Sequence, residues 1–222
     1  MLLIYNSIKL SEPRDYFDLI ARKRLFPDQS FDTIYLDKKP ESFAKYTHLL
    51  ITGSELSASQ GSDYDTDILQ VISNFVKAHK PVLGICHGHQ MLARYLAGDE
   101  YCRRAVQPEF GFKRMKITDD ELFAGIHEPI FLESRYDEVF DLPPEFKIIA
   151  ANEAEAVQGF RYKDLPVWGI QFHPEFLYED GEDMLQKHLA QNPQDKSYYR
   201  NDLTDKQQLE QNLKIFTNFI NY

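Results

Sequence analysis

One cysteine of the chain lies in a pattern that can make it a nucleophile. Residues 82–90 read Val-Leu-Gly-Ile-Cys-His-Gly-His-Gln, so a glycine stands two residues before Cys86 and another two residues after it. This spacing is typical of a nucleophile elbow, a sharp strand-to-helix turn that holds the nucleophile in a strained conformation. At the start of the following helix, unpaired N–H groups would favour the thiolate form of Cys86. The alternative is a buried structural cysteine at a strand–helix contact.

A second segment supplies side chains that could activate this cysteine. Residues 167–172 form an apolar run that leads into His173-Pro174-Glu175. Pro174 disfavours the helical region at His173, so we expect an extended chain there, with His173 and Glu175 on the same side. A histidine that takes a proton from a thiol, and a carboxylate that orients the histidine, are two members of a catalytic triad. For this segment alone, the alternative is a surface histidine beside a turn proline.

Together, the two segments resemble the motifs of class I glutamine amidotransferases, which read Gly-x-Cys-x-Gly-x-Gln and His-Pro-Glu. Both motifs are complete in this sequence and occur in the family's order, at residues 84–90 and 173–175. The resemblance extends from about residue 2 to residue 175, and the closing helix also fits. It implies an enzyme that forms a γ-glutamyl thioester, with Cys86 as nucleophile, His173 as general base and acid, and Glu175 as the residue that orients His173.

The resemblance also implies an oxyanion hole made of backbone groups. Residues 50–55, Leu-Ile-Thr-Gly-Ser-Glu, follow a predicted strand and resemble the family's glycine-rich oxyanion loop. The N–H of Gly53 would pair with that of His87 to stabilise the tetrahedral intermediate. Glu55 stands where relatives usually have proline or glycine.

Substrate-binding residues follow from the resemblance in the same way. Gln90 resembles the family's glutamine-binding residue, at the first turn of the elbow helix. Residues 134–139, Ser-Arg-Tyr-Asp-Glu-Val, resemble a segment that precedes a Leu-Pro turn and uses backbone groups to hold the α-amino and α-carboxylate ends of glutamine. We therefore expect Tyr136 and Asp137 at the substrate. Arg135-Tyr136 departs from the histidine followed by glycine or serine of many relatives.

The activity implied is hydrolysis of the γ-glutamyl amide of glutamine, with ammonia released for a separate acceptor or synthase subunit. The sequence looks most like the glutaminase part of GMP synthases, and it contains neither a P-loop nor a Gly-x-Gly-x-x-Gly fingerprint. One alternative is a stand-alone γ-glutamyl peptide hydrolase, which needs a pocket open to a bulky amine. A second alternative is a catalytically idle binding or regulatory module, which the complete set of Cys86, His173 and Glu175 opposes.

Composition excludes several other classes of protein. The 222 residues are 43% hydrophobic and 27% charged, which is ordinary for a globular chain. The 25 Lys+Arg against 35 Asp+Glu give a formal charge of -10, which argues against nucleic acid as a partner. Two cysteines offer no disulfide framework, and no stretch approaches the roughly 18 apolar residues of a membrane helix. We expect a cytoplasmic protein with neither nucleic acid nor membrane as partner.

No cofactor or metal is expected. His87 and His89 follow Cys86 closely enough to suggest a metal cluster, but side chains two residues apart diverge around a helix start. A structural or catalytic zinc site needs three or four converging ligands, and the sequence offers no further set.

The elements that must position these residues follow from hydrophobic periodicity. In the first half, strand patterns alternate with helical patterns. Strands are expected at 2–5, 31–36, 48–51 and 81–85. Helices are expected from Ser11 onwards, at 65–78 and at 88–96. This alternation predicts parallel pairing with right-handed crossovers. The predicted fold is therefore an α/β three-layer sandwich of the flavodoxin-like type, with a central, mostly parallel sheet and the nucleophile elbow.

The second half of the chain is richer in strands. Strand-like segments are expected at 112–117, 130–132, 147–151, 156–162 and 167–172, with helices returning at 182–190 and after Thr204. Residues 176–202 are longer than a minimal family member requires, and are a lid, a partner surface or a surface excursion. No linker rich in Gly, Pro or Ser divides the chain, so residues 1–222 are expected to form a single domain.

Overall fold

Eleven strands and five α-helices make up the computed structural model, which describes residues 1–222. The strands are β1 (Leu2–Asn6), β2 (Phe31–Tyr35), β3 (His48–Ile51), β4 (Val82–Ile85), β5 (Cys102–Arg114), β6 (Lys116–Ile117), β7 (Ile130–Val139), β8 (Phe146–Ala151), β9 (Gly159–Tyr162), β10 (Val167–Ile170) and β11 (Tyr199–Asn201). The α-helices are α1 (Ser11–Ile20), α2 (Asp65–Lys77), α3 (His87–Leu96), α4 (Tyr178–Gln191) and α5 (Lys214–Ile220). None of these helices is long and apolar enough to cross a membrane.

Eight strands form the central sheet, in the order β2-β1-β3-β4-β10-β9-β8-β6. The five strands from β2 to β10 pair in parallel, and β9, β8 and β6 continue the sheet with antiparallel pairing. β4 and β10 lie side by side although residues 86–166 separate them along the chain. Because both strands run in the same direction, the residues that follow them meet at one edge of the sheet.

Helices cover both faces of the central sheet. Alternate residues of β1 enter different clusters: Leu2 and Ile4 pack with residues of α1 and α5, whereas Leu3 and Tyr5 pack with residues of α2 and α3. This alternation follows from the two-residue period of a strand. The predicted three-layer α/β fold with a mostly parallel central sheet is confirmed.

A second, three-stranded sheet was not expected from the sequence. It has the order β11-β5-β7, and β5 and β7 are far longer than the strand segments expected at 112–117 and 130–132. Both strands carry buried charged residues, among them Glu109, Glu133 and Arg135, which interrupt the apolar pattern. Aromatic and aliphatic side chains pack between this sheet and α4, among them Phe110, Leu132 and Leu185.

Residues 176–202 form regular elements. They contain α4, a 3-10 segment from Pro193 to Tyr198, and β11, which pairs in parallel with β5. α4 begins at Tyr178, earlier than the expected residue 182, because the carboxylate of Asp180 accepts a hydrogen bond from the N–H of Leu177 at 3.0 Å. The capping carboxylate satisfies a donor that the helix itself leaves free.

Candidate active site

Cys86 lies in a strained turn between β4 and α3. Its backbone has φ 51° and ψ -106°, in the positive-φ region that is unusual for a residue other than glycine. The flanking glycines permit this turn: a Cβ on Gly84 would lie 2.5 Å from the carbonyl carbon of Gly88, and one on Gly88 would lie 2.6 Å from the carbonyl oxygen of Ile51. The strand-to-helix elbow expected from the glycine spacing is therefore present.

His173 and Glu175 lie just beyond β10, on the same side of the extended chain. The N–H of His173 donates to the carbonyl of Leu132 at 2.9 Å, which fixes the backbone against β7. Nδ1 of His173 lies 2.8 Å from Oε1 of Glu175, so Nε2 is the ring nitrogen left for Cys86. Both side chains are buried.

Gly53 is the place where the histidine and the cysteine come together. A Cβ on Gly53 would lie 2.8 Å from Cε1 of His173 and 3.4 Å from Cβ of Cys86. The structure thus brings the ends of three parallel strands, β3, β4 and β10, to one point. Any larger side chain at residue 53 would occupy the space between the ring and the thiol.

The charges around His173 favour its protonated form. Burial alone would lower the pKa of His173, but the charges of Glu175 and Cys86 and the hydrogen bonds with both raise that pKa well above its ordinary value. An opposite charge close to a buried histidine stabilises the imidazolium. A protonated His173 is a positive charge beside the sulfur.

The peptide N–H of Gly53 has no acceptor within the protein. The carbonyl of Thr52 accepts hydrogen bonds from the N–H of Gly88 at 3.2 Å and from the hydroxyl of Ser7 at 2.9 Å. Because a trans peptide is planar, the N–H of Gly53 must point away from those two donors. His87 is the first residue of α3, where the helix supplies no partner for the backbone N–H.

Glu55 has a structural role in this loop. Its carboxylate accepts hydrogen bonds from the N–H of Leu10 at 2.6 Å and from the N–H of Lys9 at 3.2 Å. The contact ties the loop after β3 to the segment that enters α1. The carboxylate that stands here in place of the proline or glycine of relatives therefore binds two backbone N–H groups of the segment before α1.

Gln90 and Asp137 lie next to each other on the cavity wall. Nε2 of Gln90 donates to Oε1 of Gln171 at 2.9 Å and to the carbonyl of Asp137 at 3.3 Å. The Asp137 carboxylate accepts hydrogen bonds from the hydroxyls of Ser57 at 2.7 Å and Ser59 at 2.9 Å. Both residues stay predicted substrate-binding positions.

Tyr136 also faces the cavity, and its hydroxyl is tied to the 176–202 segment. The hydroxyl donates to the carboxylate of Asp195, which in turn lies 2.9 Å from Nε2 of His188. Burial and this carboxylate raise the pKa of Tyr136 to about 12. The tyrosine therefore links β7 to the segment that follows α4. Its contact with a substrate stays a prediction.

Arg135 points away from the cavity into a buried ionic cluster. Its guanidinium lies 2.6 Å from Glu109 and 2.8 Å from Glu155, and its side chain is 1% exposed. Burial, together with the charges of Glu109 and Glu138, raises the pKa of Glu155 to about 8 even though Arg135 opposes that shift. Arg135, which replaces the histidine of many relatives, is thus paired with acidic side chains.

Cys86 opens into a cavity of about 680 Å³. Its walls come from the loop before α1, the loop after β3, the inner face of β7, and α4, which contributes Met184, Lys187 and His188. No pattern in the sequence indicated the α4 wall or Arg104, which lies at an irregularity of β5 between Arg104 and Glu109. A β-bulge re-aims side chains in a way that periodicity does not reveal.

His87 and His89 belong to no group of three or more His, Cys, Asp or Glu side chains that could hold a metal ion. Both rings are buried, and all four ring nitrogens lack a hydrogen-bond partner. Burial lowers the pKa of His87 to about 4 and that of His89 to about 3, so both are neutral near pH 7.

The family model for glutamine amidotransferase class-I matches residues 30–192 of this chain. The chain is similar to one subunit of the glutamine-hydrolyzing GMP synthase of Saccharolobus solfataricus, with 31% identity over 171 residues, 74% of this chain and 86% of the relative. The corresponding protein of Pyrococcus abyssi is 36% identical over 119 residues, 52% of this chain and 62% of the relative. The matched region thus spans about three-fifths of the first curated relatives.

Two solved structures have a similar fold. A glutamine amidotransferase from Thermotoga maritima has a TM-score of 0.70 at 21% identity, over 99% of this chain and 94% of its own. A glutamine amido transferase from Methylobacillus flagellatus has a TM-score of 0.76 at 19% identity, with the same coverage.

Proposed function

This chain belongs to the class-I glutamine amidotransferase family, and from that premise we propose that it hydrolyses the γ-glutamyl amide of glutamine through a thioester on Cys86. The observation that carries the proposal is the arrangement at the elbow. Cys86 is held at φ 51° at the start of α3, with His173 and Glu175 beside it and with Gly53, whose N–H has no acceptor in the protein, next to both. Nucleophile, base, orienting carboxylate and oxyanion donor are the parts that acyl transfer requires.

In the first half of the reaction, the Cys86 thiolate attacks the γ-carbonyl carbon of the substrate. The negative charge that develops on the carbonyl oxygen is stabilised by the N–H groups of Gly53 and His87, which are fixed before the substrate arrives. The imidazolium of His173 then gives its proton to the leaving nitrogen. The C–N bond breaks, ammonia leaves, and the γ-glutamyl group remains on sulfur as a thioester.

In the second half, water replaces ammonia. Neutral His173 takes a proton from the water, and the hydroxide attacks the thioester carbon at the same oxyanion donors. Collapse of this second intermediate releases glutamate and returns Cys86 as thiolate beside protonated His173. Glu175 keeps its contact with Nδ1 throughout, so that Nε2 faces the reacting atoms in both halves.

We further propose that the ammonia is used by a separate synthase subunit. The relatives from Saccharolobus solfataricus and Pyrococcus abyssi are each named as one subunit of a glutamine-hydrolyzing GMP synthase. Their names support a division of labour in which this chain supplies ammonia and a partner subunit consumes it.

The direct test compares two substrates with the isolated chain. Ammonia release from free L-glutamine is measured beside cleavage of a γ-glutamyl dipeptide, and intact-mass spectrometry follows the acyl adduct on Cys86. Glutamine should form the adduct and release ammonia, and Cys86→Ala should do neither. If neither substrate formed an adduct on Cys86, the proposed chemistry would be contradicted.

A stand-alone γ-glutamyl peptide hydrolase is the second candidate. The cavity of about 680 Å³ lies within the range of pockets that bind drug-sized ligands, and it is large for one glutamine. Leu10, on its rim, is 59% exposed. This second function requires faster cleavage of γ-glutamyl peptides than of glutamine in the same comparison.

A further inference from the structure

The cavity contains one cation that the protein leaves largely unused. Three cationic residues belong to the cavity wall, and two of them are committed elsewhere: the side chain of Arg135 points away towards Glu109 and Glu155, and Lys187 lies 3.0 Å from Asp183. The third, Arg104, has a side chain that is 53% exposed. Its only polar contact is at 3.3 Å, between Nη1 and Oδ1 of Asp137.

Asp137 helps to position Arg104, but its carboxylate also has other hydrogen-bond donors. The carboxylate of Asp137 already accepts hydrogen bonds from both serine hydroxyls, at 2.7 and 2.9 Å, and from the N–H of Ser59 at 3.1 Å. The guanidinium also lies over the ring of Tyr136, 4.3 Å from its centroid. A stacked guanidinium with most of its N–H groups free is oriented in advance to bind a carboxylate with two parallel hydrogen bonds.

Arg104 lies on β5, opposite Asp137 of β7, and this position places it towards the α-amino acid end of a bound substrate. His173 pairs with Leu132, whereas Arg104 pairs with Asp137, five residues further along the strand. At about 3.3 Å per residue, the two positions on β7 are about 16 Å apart. His173 must lie beside the leaving nitrogen to protonate it, so the rest of the γ-glutamyl group extends towards Gln90 and Arg104.

Gln90 offers the complementary group at the same end. It lies one helical turn after Cys86, on the same face of α3. Its Nε2 is occupied by Gln171 and by the carbonyl of Asp137, and its Oε1 receives no hydrogen bond from the protein. An amide oxygen fixed in this orientation accepts a hydrogen bond from an ammonium group.

We propose that Arg104 binds the α-carboxylate of the substrate while Oε1 of Gln90 accepts a hydrogen bond from its α-ammonium group. The site then selects γ-glutamyl compounds with a free α-amino acid head and discriminates against compounds whose α-carboxylate is blocked. This inference rests on the proposed function for the orientation of the substrate. It adds a side-chain contact to the backbone groups expected from residues 134–139.

The test measures binding separately from turnover. In a Cys86→Ala background, calorimetry determines the affinity of L-glutamine and of its α-carboxamide, in which the carboxylate is neutral. Arg104→Met should weaken L-glutamine binding about 10- to 100-fold, the range for a lost charge-assisted pair of hydrogen bonds, and should leave α-carboxamide binding unchanged. Arg104→Lys should restore part of the loss. The matched control is Arg103→Met, because Arg103 pairs with Glu138 and packs over Phe140.

Each outcome decides the inference. Equal loss for both ligands, no loss for L-glutamine, or no binding of L-glutamine with Arg104 intact would overturn it. Ammonia release by the parent enzyme is measured in parallel. Arg104-dependent binding without ammonia release would contradict the proposed function alone, whereas ammonia release with no Arg104 dependence in binding would contradict this inference alone.

Discussion

Oε1 of Glu175 lies 2.8 Å from Nδ1 of His173, and the second carboxylate oxygen, Oε2, is buried without any hydrogen-bond partner. Burial of a carboxylate with one oxygen unpaired is costly, and a positive charge close by offsets that cost. Protonated His173 is that charge. The pair is therefore mutually dependent: Glu175 raises the pKa of His173, and the imidazolium compensates the burial of Glu175.

Glu175→Gln removes this charge but keeps the size of the side chain. We expect thioester formation to slow by roughly 10²- to 10⁴-fold, since the loss of an orienting carboxylate is severe but smaller than the loss of a nucleophile. Rapid-quench mass spectrometry of the Cys86 adduct measures the rate. Glu182→Gln, on α4, is the matched control and should react at the parent rate. Full activity of Glu175→Gln would make Glu175 a bystander.

Cys86 should be the sole site of modification by a glutamine-like chloroketone. Cys102 is buried, and burial, together with the charge of Asp137, raises the pKa of its thiol to about 12, so it has almost no thiolate near pH 7. Peptide mapping after labelling should find one adduct, on Cys86. The Cys86→Ala protein should stay unlabelled, and an adduct on Cys102 would argue against the assignment of the nucleophile.

His89 should make the stability of the fold sensitive to acid. Its folded pKa is lowered to about 3, while the unfolded chain has the ordinary value near 6.5. Below pH 6.5 His89 is protonated in the unfolded chain but stays neutral in the folded protein. Its contribution to the free energy of unfolding therefore declines by roughly 1 kcal/mol for each unit by which the pH falls.

The comparison with His89→Phe isolates this contribution, because the replacement keeps a ring against Phe160 and cannot titrate. Urea unfolding at pH 7, 6 and 5 gives the difference in free energy of unfolding between variant and parent. That difference should move in favour of the variant as the pH falls. A difference that is constant with pH would show that the pKa of His89 is the same in the folded and the unfolded chain, and a difference that moves in favour of the parent would show that folding raises it.

Glu55 should contribute to stability more than to turnover. Glu55→Ala removes the acceptor of the Lys9 and Leu10 N–H groups, which we expect to cost about 1 kcal/mol in the free energy of unfolding because the contact is exposed. Gly53 is positioned separately, through the carbonyl of Thr52, so kcat should fall by less than about tenfold, or 1.4 kcal/mol in the barrier. Glu55→Gln keeps an acceptor and is the control. A larger loss of kcat than of stability would assign Glu55 to the oxyanion loop's catalytic geometry.

The location of the elbow and of the His-Pro-Glu segment could be predicted because local rules govern both. Glycine spacing identifies a turn that only glycine permits around Cys86, and Pro174 restricts the residue before it. The alternation of strand and helix patterns was enough to predict the parallel sheet. What brought the two segments together, however, is the pairing of β10 with β4, which depends on the whole topology.

The second sheet and the cavity wall could not be predicted for a physical reason. β5 and β7 bury Glu109, Glu133 and Arg135, so mutual ionic and hydrogen-bond partners replace the alternating apolar pattern on which strand prediction depends. Arg104 was missed for a related reason, since its direction is set by a local irregularity of β5. Such partners are distant in sequence and carry no local signal.

The pairing of β11 with β5 has a consequence for the order in which the protein is made. A ribosome that has synthesised the chain through Glu175 has already produced Cys86 and His173, but not α4 or β11. A nascent chain of that length holds the reactive thiol without the wall that will enclose it. The segment that follows Glu175 therefore adds the α4 wall of the cavity after the reacting residues have been made, so the site is completed from its chemistry outwards to its walls.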